Sequence, residues 1–137
     1  MGHVNVQITL KNAWDVTSAQ CGVISEPEVR QVTVDAMVDT GATMLVINRE
    51  IFNKLGLGVI DERRVSFANN ANVICKMTNA VEIHWENRFF PMSAMLVEDA
   101  PEILLGVIPL EGMDLMVDPV RQKLVAAHGD IPTCLCY

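Results

Sequence analysis

Apolar and polar residues alternate along several short stretches of the chain, a pattern with the two-residue period of a β-strand. Turn-forming residues separate these stretches, so the strands are short and closely spaced. Such a pattern predicts a mainly β structure closed into a small barrel. The predicted strands are residues 4–10, 32–38, 44–47, 81–85, 89–92, 115–117 and 123–125.

Turn and helix signals lie between these strands. Asn48 can cap a short helix that runs to about Leu55, where Gly56 allows the left-handed backbone of a helix end. Asn87 and Arg88 predict the tight turn of a hairpin between two of the strands. The pattern therefore predicts one brief helix within an otherwise β chain.

A candidate reactive group stands at the end of the predicted strand 32–38. There Asp39 is followed by Thr40 and Gly41, so that an acid, a hydroxyl and a glycine share one turn. Glycine lets the backbone turn tightly and lets another main chain approach, while the hydroxyl can fix the loop by hydrogen bonds. This is the arrangement that one half-site of an aspartic peptidase requires.

A second motif, Ile103-Leu104-Leu105-Gly106, is a short apolar run that ends in glycine. Together with Asp39-Thr40-Gly41-Ala42 it resembles the retropepsin-like aspartic peptidases, over about residues 32–125. In that family the strand with Asp-Thr-Gly-Ala is followed, late in the domain, by two apolar residues and a glycine, then by a short helix. The resemblance implies a small closed acid-protease barrel with one or two short helices, the second at residues 108–113.

The resemblance also implies roles for individual residues. Asp39 is expected to be catalytic, together with Thr40 and Gly41. Thr40 is expected to form a hydrogen bond across a twofold axis to the same loop of a partner. Gly106 is expected to let the apolar segment pack beneath the catalytic turn.

Only one Asp-Thr-Gly occurs in the 137 residues, and Asp-Ser-Gly does not occur. This length supports a single domain, residues 1–137, and is too short for two peptidase lobes. A carboxylate dyad needs two acids in contact. The chemistry therefore predicts a homodimer in which Asp39 of each protomer meets its counterpart on a twofold axis.

Two carboxyl groups held side by side cannot both ionise easily, so the pair is expected to retain one shared proton. The ionised member can take a proton from a water that attacks the scissile carbonyl, while the protonated member hydrogen-bonds to the developing oxyanion. The sequence thus predicts an aspartic endopeptidase, a hydrolase of peptides or proteins that uses no metal or other cofactor.

A cover for the bound peptide is predicted at residues 64–77, where two β-like arms flank residues 68–72. Such a hairpin can close over an extended peptide and exclude water. Asn69 and Asn70 stand where viral family members have glycine, and asparagine still tolerates left-handed backbone angles. A plain surface hairpin is the alternative interpretation. The predicted substrate-binding residues are Ala42, Thr43, Asn69, Asn70, Ala71 and Gly106.

Each acid also has a structural interpretation. Asp-Thr-Gly is a good turn sequence in any protein, because Asp can bond its own backbone and Gly can take positive φ. Asp118 precedes proline and is predicted to form a turn, not to be a second catalytic acid. Asp35 is predicted to face outward from its strand. The alternative function is a non-catalytic peptide-binding or dimerisation module on the same fold.

Charge and hydropathy exclude several partners. The net charge is −7 and the basic residues are scattered, which argues against a nucleic-acid partner. No apolar run is long enough to cross a membrane. Residues 3–11 alternate instead of forming an apolar block, so no secretory signal is predicted, and a cytoplasmic location is expected.

The four cysteines are therefore expected to be reduced. Cys21 and Cys75 are predicted to be small buried residues or free thiols. Cys134 and Cys136 lie in a predicted tail, about residues 126–137, near His128. Because the paired spacings of a zinc site are absent, no metal site is predicted.

Overall fold

The computed structural model describes residues 4–66 and 69–136. Within these ranges the strands are β1 (Val4–Asn12), β2 (Gln31–Val38), β3 (Leu45–Ile47), β4 (Val59–Ser66), β5 (Asn72–Trp85), β6 (Arg88–Leu96), β7 (Ile103–Leu105), β8 (Leu115–Asp118) and β9 (Lys123–Ala126). The helices are α1 (Ala13–Gln20), α2 (Arg49–Lys54), α3 (Val107–Gly112) and a 3₁₀ helix at Glu26–Glu28.

Six strands close into a barrel in the order β1, β2, β7, β3, β6, β5, and β5 returns to β1. Closure is possible because β5 is 14 residues long. Its first half pairs with β4, and its second half pairs with β6 on one side and β1 on the other. The predicted mainly β barrel is confirmed.

The interior of the barrel is apolar. Alternate strand residues point inward, so Ile8 and Leu10 of β1 and Leu105 of β7 are at most 1% exposed. Phe52 and Leu55 of the α2 segment are buried in the same core, as the sequence predicts. The Asn48 side chain caps α2 by accepting a hydrogen bond from the Ile51 amide at 3.0 Å. The cap fixes where the chain turns from β3 into the helix.

The hairpin between β5 and β6 turns one residue earlier than predicted. Its turn residues are Glu86 and Asn87, and Arg88 already pairs with Trp85 in the ladder. Glu86 takes the left-handed backbone, with φ of 53°. The prediction of an Asn87-Arg88 turn is wrong because the Arg88 side chain is buried and is bonded to a distant segment. It therefore belongs to the strand.

Arg88 joins the barrel to the segment after β9. Its guanidinium, 3% exposed, donates hydrogen bonds to the carbonyl oxygens of Met113 at 2.9 Å and Asp114 at 2.8 Å, and a further one to that of Gly129. The Asp114 carboxylate accepts from His128 Nδ1 at 2.7 Å and from the Thr133 amide at 3.0 Å. The hydrogen bond from His128 is the main reason why the pKa of Asp114 lies below its usual value.

The sequence did not predict α1, because this helix has no apolar stripe. Its buried residues are Asp15 and Ser18. The Asn12 side chain caps the helix by accepting a hydrogen bond from the Asp15 amide at 3.1 Å. Asp15 in turn accepts two hydrogen bonds from the Arg30 guanidinium, at 2.8 and 3.0 Å, and one from the Arg30 amide at 3.0 Å. Polar contacts therefore hold this helix against the entry to β2.

Asp15→Asn is expected to lower the free energy of unfolding by about 1.5–3 kcal/mol at neutral pH, because it weakens hydrogen bonds between charged groups. The Arg30 side chain holds the pKa of Asp15 below its usual value in the folded state. The contribution is therefore present above the unfolded-state pKa and is lost as pH falls through the folded-state pKa. Urea denaturation at neutral and at strongly acidic pH measures the loss of stability and its dependence on pH.

The matched control is Asp35→Asn, since Asp35 is exposed on β2 and faces outward as predicted. Its effect on stability is expected to stay below about 0.5 kcal/mol. A stability loss for Asp15→Asn that is the same at both pH values would contradict the assigned charge pair.

Two further predictions of secondary structure, a second short helix and a C-terminal hairpin, are confirmed. Helix α3 lies where the second short helix was expected, with Pro109 in its first turns. Strands β8 and β9 form the predicted hairpin, in which the Asp118 side chain accepts hydrogen bonds from the amides of Val120 and Arg121. All four cysteines are free thiols, and only Cys75 is buried. None of the helices in the described ranges is long and apolar enough to cross a bilayer.

Candidate active site

Asp39 lies at the end of β2, on a turn that the neighbouring strand holds in place. The Asp39 amide donates to the Leu105 carbonyl of β7 at 3.0 Å. Within the turn, the Ala42 amide donates to the Asp39 carbonyl at 3.0 Å, and the Gly41 amide donates to Asp39 Oδ1 at 2.9 Å. Asp39 as a residue is half-buried, and the hydrogen bond from Gly41 orients its carboxylate.

Strand β7 lies between the strand before this turn and the strand after it. Leu105 is opposite Val38 in the parallel β2–β7 pair and opposite Leu45 in the antiparallel β3–β7 pair. Its side chain is fully buried. The apolar strand β7 therefore pairs with the strands at both ends of the Asp39 turn and supports the turn from below.

Gly106 follows β7 and passes directly under the turn. Its amide donates to the Met44 carbonyl at 3.0 Å, and the next amide, that of Val107, donates to the Ala42 carbonyl at 2.9 Å. A Cβ at residue 106 would lie 2.6 Å from the Met44 oxygen and 2.7 Å from the Ala42 oxygen. Only glycine allows this approach of two backbones.

The Asp39 turn opens into a cleft of about 630 Å³. Five strands and the turn contribute to its walls, and most of the side chains are apolar. Its lining residues are Met37, Asp39, Gly41, Ala42, Thr43, Met44, Val46, Val65, Ser66, Met95, Val97, Ala100, Pro101, Glu102 and Leu104. A pocket with apolar walls and few polar groups suits a ligand of mixed character, such as a peptide.

The predicted site residues divide into three groups: four that line the cleft, two that lie beside or beneath it, and three at the tip of a hairpin. Asp39, Gly41, Ala42 and Thr43 line the cleft. Thr40 is exposed beside it, and its side chain forms no hydrogen bond within residues 4–66 and 69–136. Gly106 lies beneath the turn and does not line the cleft.

The third group, Asn69, Asn70 and Ala71, lies at the exposed tip of the β4–β5 hairpin and does not line the cleft. Asn70 takes the left-handed backbone expected of asparagine, with φ of 65°. The Ala71 amide donates to Asn69 Oδ1 at 3.0 Å. The hairpin reaches the cleft through Val65 and Ser66 instead. Phe67 and Ala68, which the predicted hairpin includes, lie outside the described residues.

Sequence reasoning missed several lining residues. Met44 and Glu102 stand within a few positions of the two motifs, so their proximity to Asp39 could have been inferred. Met95 had no such signal, because it reaches the cleft through the parallel pairing of β6 with β3. That pairing depends on the register of strands far apart in the sequence.

The charged groups in this cleft are few and acidic. Of the lining residues, Asp39 and Glu102 carry carboxylates, and none in the described part of the wall is basic. No group of three or more His, Cys, Asp or Glu side chains that could hold a metal ion occurs in the described ranges. Of these two carboxylates, that of Asp39 is the one oriented by a hydrogen bond from the turn.

Comparisons with known proteins give a family and a fold. The family model described as aspartyl protease matches residues 25–107, more than half of the chain, and this span includes both motifs. The protease of EIAV, in complex with the inhibitor HBY-793, is similar with a TM-score of 0.53 and 17% identity over 80% of this chain and 86% of that one. No curated protein matches the chain.

A second solved structure is the retroviral protease-like domain of Ddi1 from Leishmania major. It is similar with a TM-score of 0.57 and 17% identity, over 96% of this chain and 94% of that one. At this identity both likenesses describe the fold alone. The retropepsin-like architecture expected from Asp39-Thr40-Gly41-Ala42 and Gly106 is confirmed.

Proposed function

This chain belongs to the aspartyl protease family, and on that basis we propose that it is an aspartic endopeptidase that acts as a homodimer. The observation that carries the proposal is the position of Asp39. The residue is half-buried on a turn that hydrogen bonds to β7 and Gly106 hold in place, and it lines an apolar cleft. A peptide is the proposed substrate, and no nucleic acid or membrane is expected to take part.

Two copies are proposed because the chemistry requires two acids. One chain supplies one Asp39, and Glu102, the other acid that lines the cleft, lies four residues before Gly106 on the β7 side. The Thr40 hydroxyl stands exposed beside Asp39, where it can bond to the same loop of a second copy. A twofold axis beside this turn would bring the two carboxylates together.

In the proposed mechanism the two Asp39 carboxyls hold one proton and one water between them. The ionised carboxyl takes a proton from the water as its oxygen attacks the scissile carbonyl, and the protonated carboxyl hydrogen-bonds to the carbonyl oxygen. Collapse of the tetrahedral intermediate breaks the C–N bond as the carboxyl that took the water proton gives it to the leaving nitrogen, which returns the pair to its singly protonated state. The Gly41 amide, bonded to Asp39 Oδ1, keeps that carboxylate in its orientation.

The β4–β5 hairpin is proposed to cover the bound peptide. Val65 and Ser66 already lie at the cleft, while Asn69, Asn70 and Ala71 at the exposed tip do not line it. A movement of the tip toward the turn would enclose the peptide and exclude water from the acid pair. In this proposal Asn70 supplies the backbone angle that keeps the tip turned.

Cleavage of a mixed peptide library, analysed by mass spectrometry from mildly acidic to neutral pH, tests the activity. Sedimentation of the same samples tests the assembly. We expect cleavage at defined positions by a species of twice the chain mass. An active species that remains strictly monomeric would contradict the half-site argument.

The second candidate is a peptide-binding or dimerisation module without catalysis. The observation that favours it is that the cleft is formed within one chain, whereas the acid pair is not. A folded protein that binds library peptides and cleaves none would favour this function.

All four thiols are free, which supports a proposed location in the reducing cytoplasm.

A further inference from the structure

Glu102 lies on the face of the sheet that forms the cleft. It directly precedes β7, where Ile103 is buried, Leu104 is half-exposed in the cleft and Leu105 is buried. Glu102 and Leu104 both line the cleft, whereas Ile103 between them is buried in the core. Leu104 is opposite Met37 of β2, two residues before Asp39.

This register places Glu102 in the same cleft as Asp39 but several residues along it from the acid pair. Counting along the β2–β7 ladder, Glu102 is four residues from the level of Asp39, roughly 13 Å at the rise of a strand. An extended peptide that crosses Asp39 along these strands would present a neighbouring side chain to Glu102. At this distance Glu102 can contact a substrate side chain but cannot take part in the acid–base steps at the scissile bond.

Glu102 is not neutralised by the protein. The nearby Glu98 is paired with Arg49, whose guanidinium donates to it at 2.8 Å. Glu102, by contrast, takes part in no ion pair within residues 4–66 and 69–136. An exposed acid in a cleft whose described wall has no basic group attracts a cation from outside.

Three methionines give the same cleft an adaptable wall. Met37, Met44 and Met95 come from three different segments and line the cavity together. Methionine is flexible and fills irregular gaps, so these side chains can pack along a long unbranched alkyl chain. Lys and Arg present such a stem and carry their charge at its end.

We infer that Glu102 is a specificity-determining residue that selects a lysine or arginine side chain near the scissile bond. The alkyl stem lies along the methionines and the cationic end meets the Glu102 carboxylate. This inference rests on the proposed function, because it names the substrate class of the proposed peptidase.

The test uses a peptide that the enzyme cleaves, with Lys, norleucine or Glu placed in turn at each of four positions on either side of the bond. At one or more positions we expect kcat/KM for Lys to exceed that for norleucine about fivefold, the upper range of an exposed ion pair. Glu is expected to be disfavoured there. The Lys preference should decrease as the salt concentration rises.

Glu102→Gln should bring the Lys to norleucine ratio close to one. The matched control is Asp99→Asn, which removes the same charge from an exposed residue of the same loop that does not line the cleft. This control should retain the wild-type ratio. Equal rates for Lys and norleucine in the wild type, or an unchanged ratio in Glu102→Gln, would overturn the inference.

Binding separates failure of this inference from failure of the proposed activity. Fluorescence anisotropy with labelled Lys and norleucine peptides measures affinity in the Asp39→Asn protein, where turnover plays no part. Tighter binding of the Lys peptide that disappears in Asp39→Asn/Glu102→Gln would support Glu102 even if no peptide is cleaved. Cleavage without any Lys preference would overturn the role of Glu102 and leave the peptidase intact. Neither binding nor cleavage of any peptide would overturn both.

Discussion

Asp39→Asn is expected to lower kcat for peptide cleavage by at least about 10³-fold, within the range that acid–base catalysis supplies. An amide can neither take a proton from water nor share one with its partner. Its shape is close to that of the carboxylate, and its Oδ1 can still accept the hydrogen bond that the Gly41 amide gives at 2.9 Å. The loss should therefore fall on turnover while binding persists. Initial rates with a cleaved library peptide measure it.

Two controls make this result specific. Asp35→Asn makes the same change four residues earlier, at an exposed position of β2, and should leave the rate within about twofold. Thermal unfolding and sedimentation should give the same stability and mass for Asp39→Asn as for the wild type. If Asp39→Asn cleaves at the wild-type rate, the proposed mechanism is ruled out.

Mixed dimers extend the same prediction to the pairing of the two acids. With a ninefold excess of Asp39→Asn protein that exchanges freely, only about one tenth of the wild-type chains would have a wild-type partner. Activity per wild-type chain should fall to about that fraction if one intact Asp39 is not enough. Activity that is independent of the excess would mean that a single chain carries the chemistry.

The sequence predicted those parts of the site that depend on short motifs of consecutive residues. Asp39, Gly41 and Gly106 each stand at a position where the local pattern requires them: a strand end, a tight turn, and a close approach of backbones. The pairing of β2 with β7 in the structure brings Gly106 beneath the Asp39 turn. Local pattern and global fold agree at these positions.

The parts that the sequence did not predict depend on partners far away in the chain. Arg88 follows Asn87 in a polar stretch of the sequence that is typical of a turn. Its side chain is nevertheless buried, because carbonyl oxygens of Met113, Asp114 and Gly129 accept its hydrogen bonds. Helix α1 gives no apolar period because polar contacts to Arg30 hold it. Met95 enters the cleft only through a parallel register. None of these contacts leaves a periodic trace in the sequence.

Gly106→Ala is expected to lower the free energy of unfolding by about 3 kcal/mol or more, at the upper end of overpacking effects. The backbone at Gly106 has φ of −88° and ψ of −169°, which any residue can adopt, so the loss is steric. The new methyl group would lie 2.6–2.7 Å from backbone atoms of Ala42 and Met44. Backbone atoms cannot move aside as a flexible side chain can, so the two segments must separate.

That separation connects the stability of the fold to the site. The hydrogen bonds from Gly106 to Met44 and from Val107 to Ala42 tie α3 to the Asp39 turn, and both must lengthen to admit the methyl group. Cleavage should therefore be lost even where the variant remains folded.

Gly22→Ala is the matched control. It has a left-handed φ of 76° and no atom within 4 Å of the new Cβ, so we expect only about 1–2 kcal/mol of backbone strain and unchanged cleavage. Chemical denaturation and cleavage rates of both variants measure these effects. A Gly106→Ala protein with wild-type stability would show that the turn does not depend on this close approach.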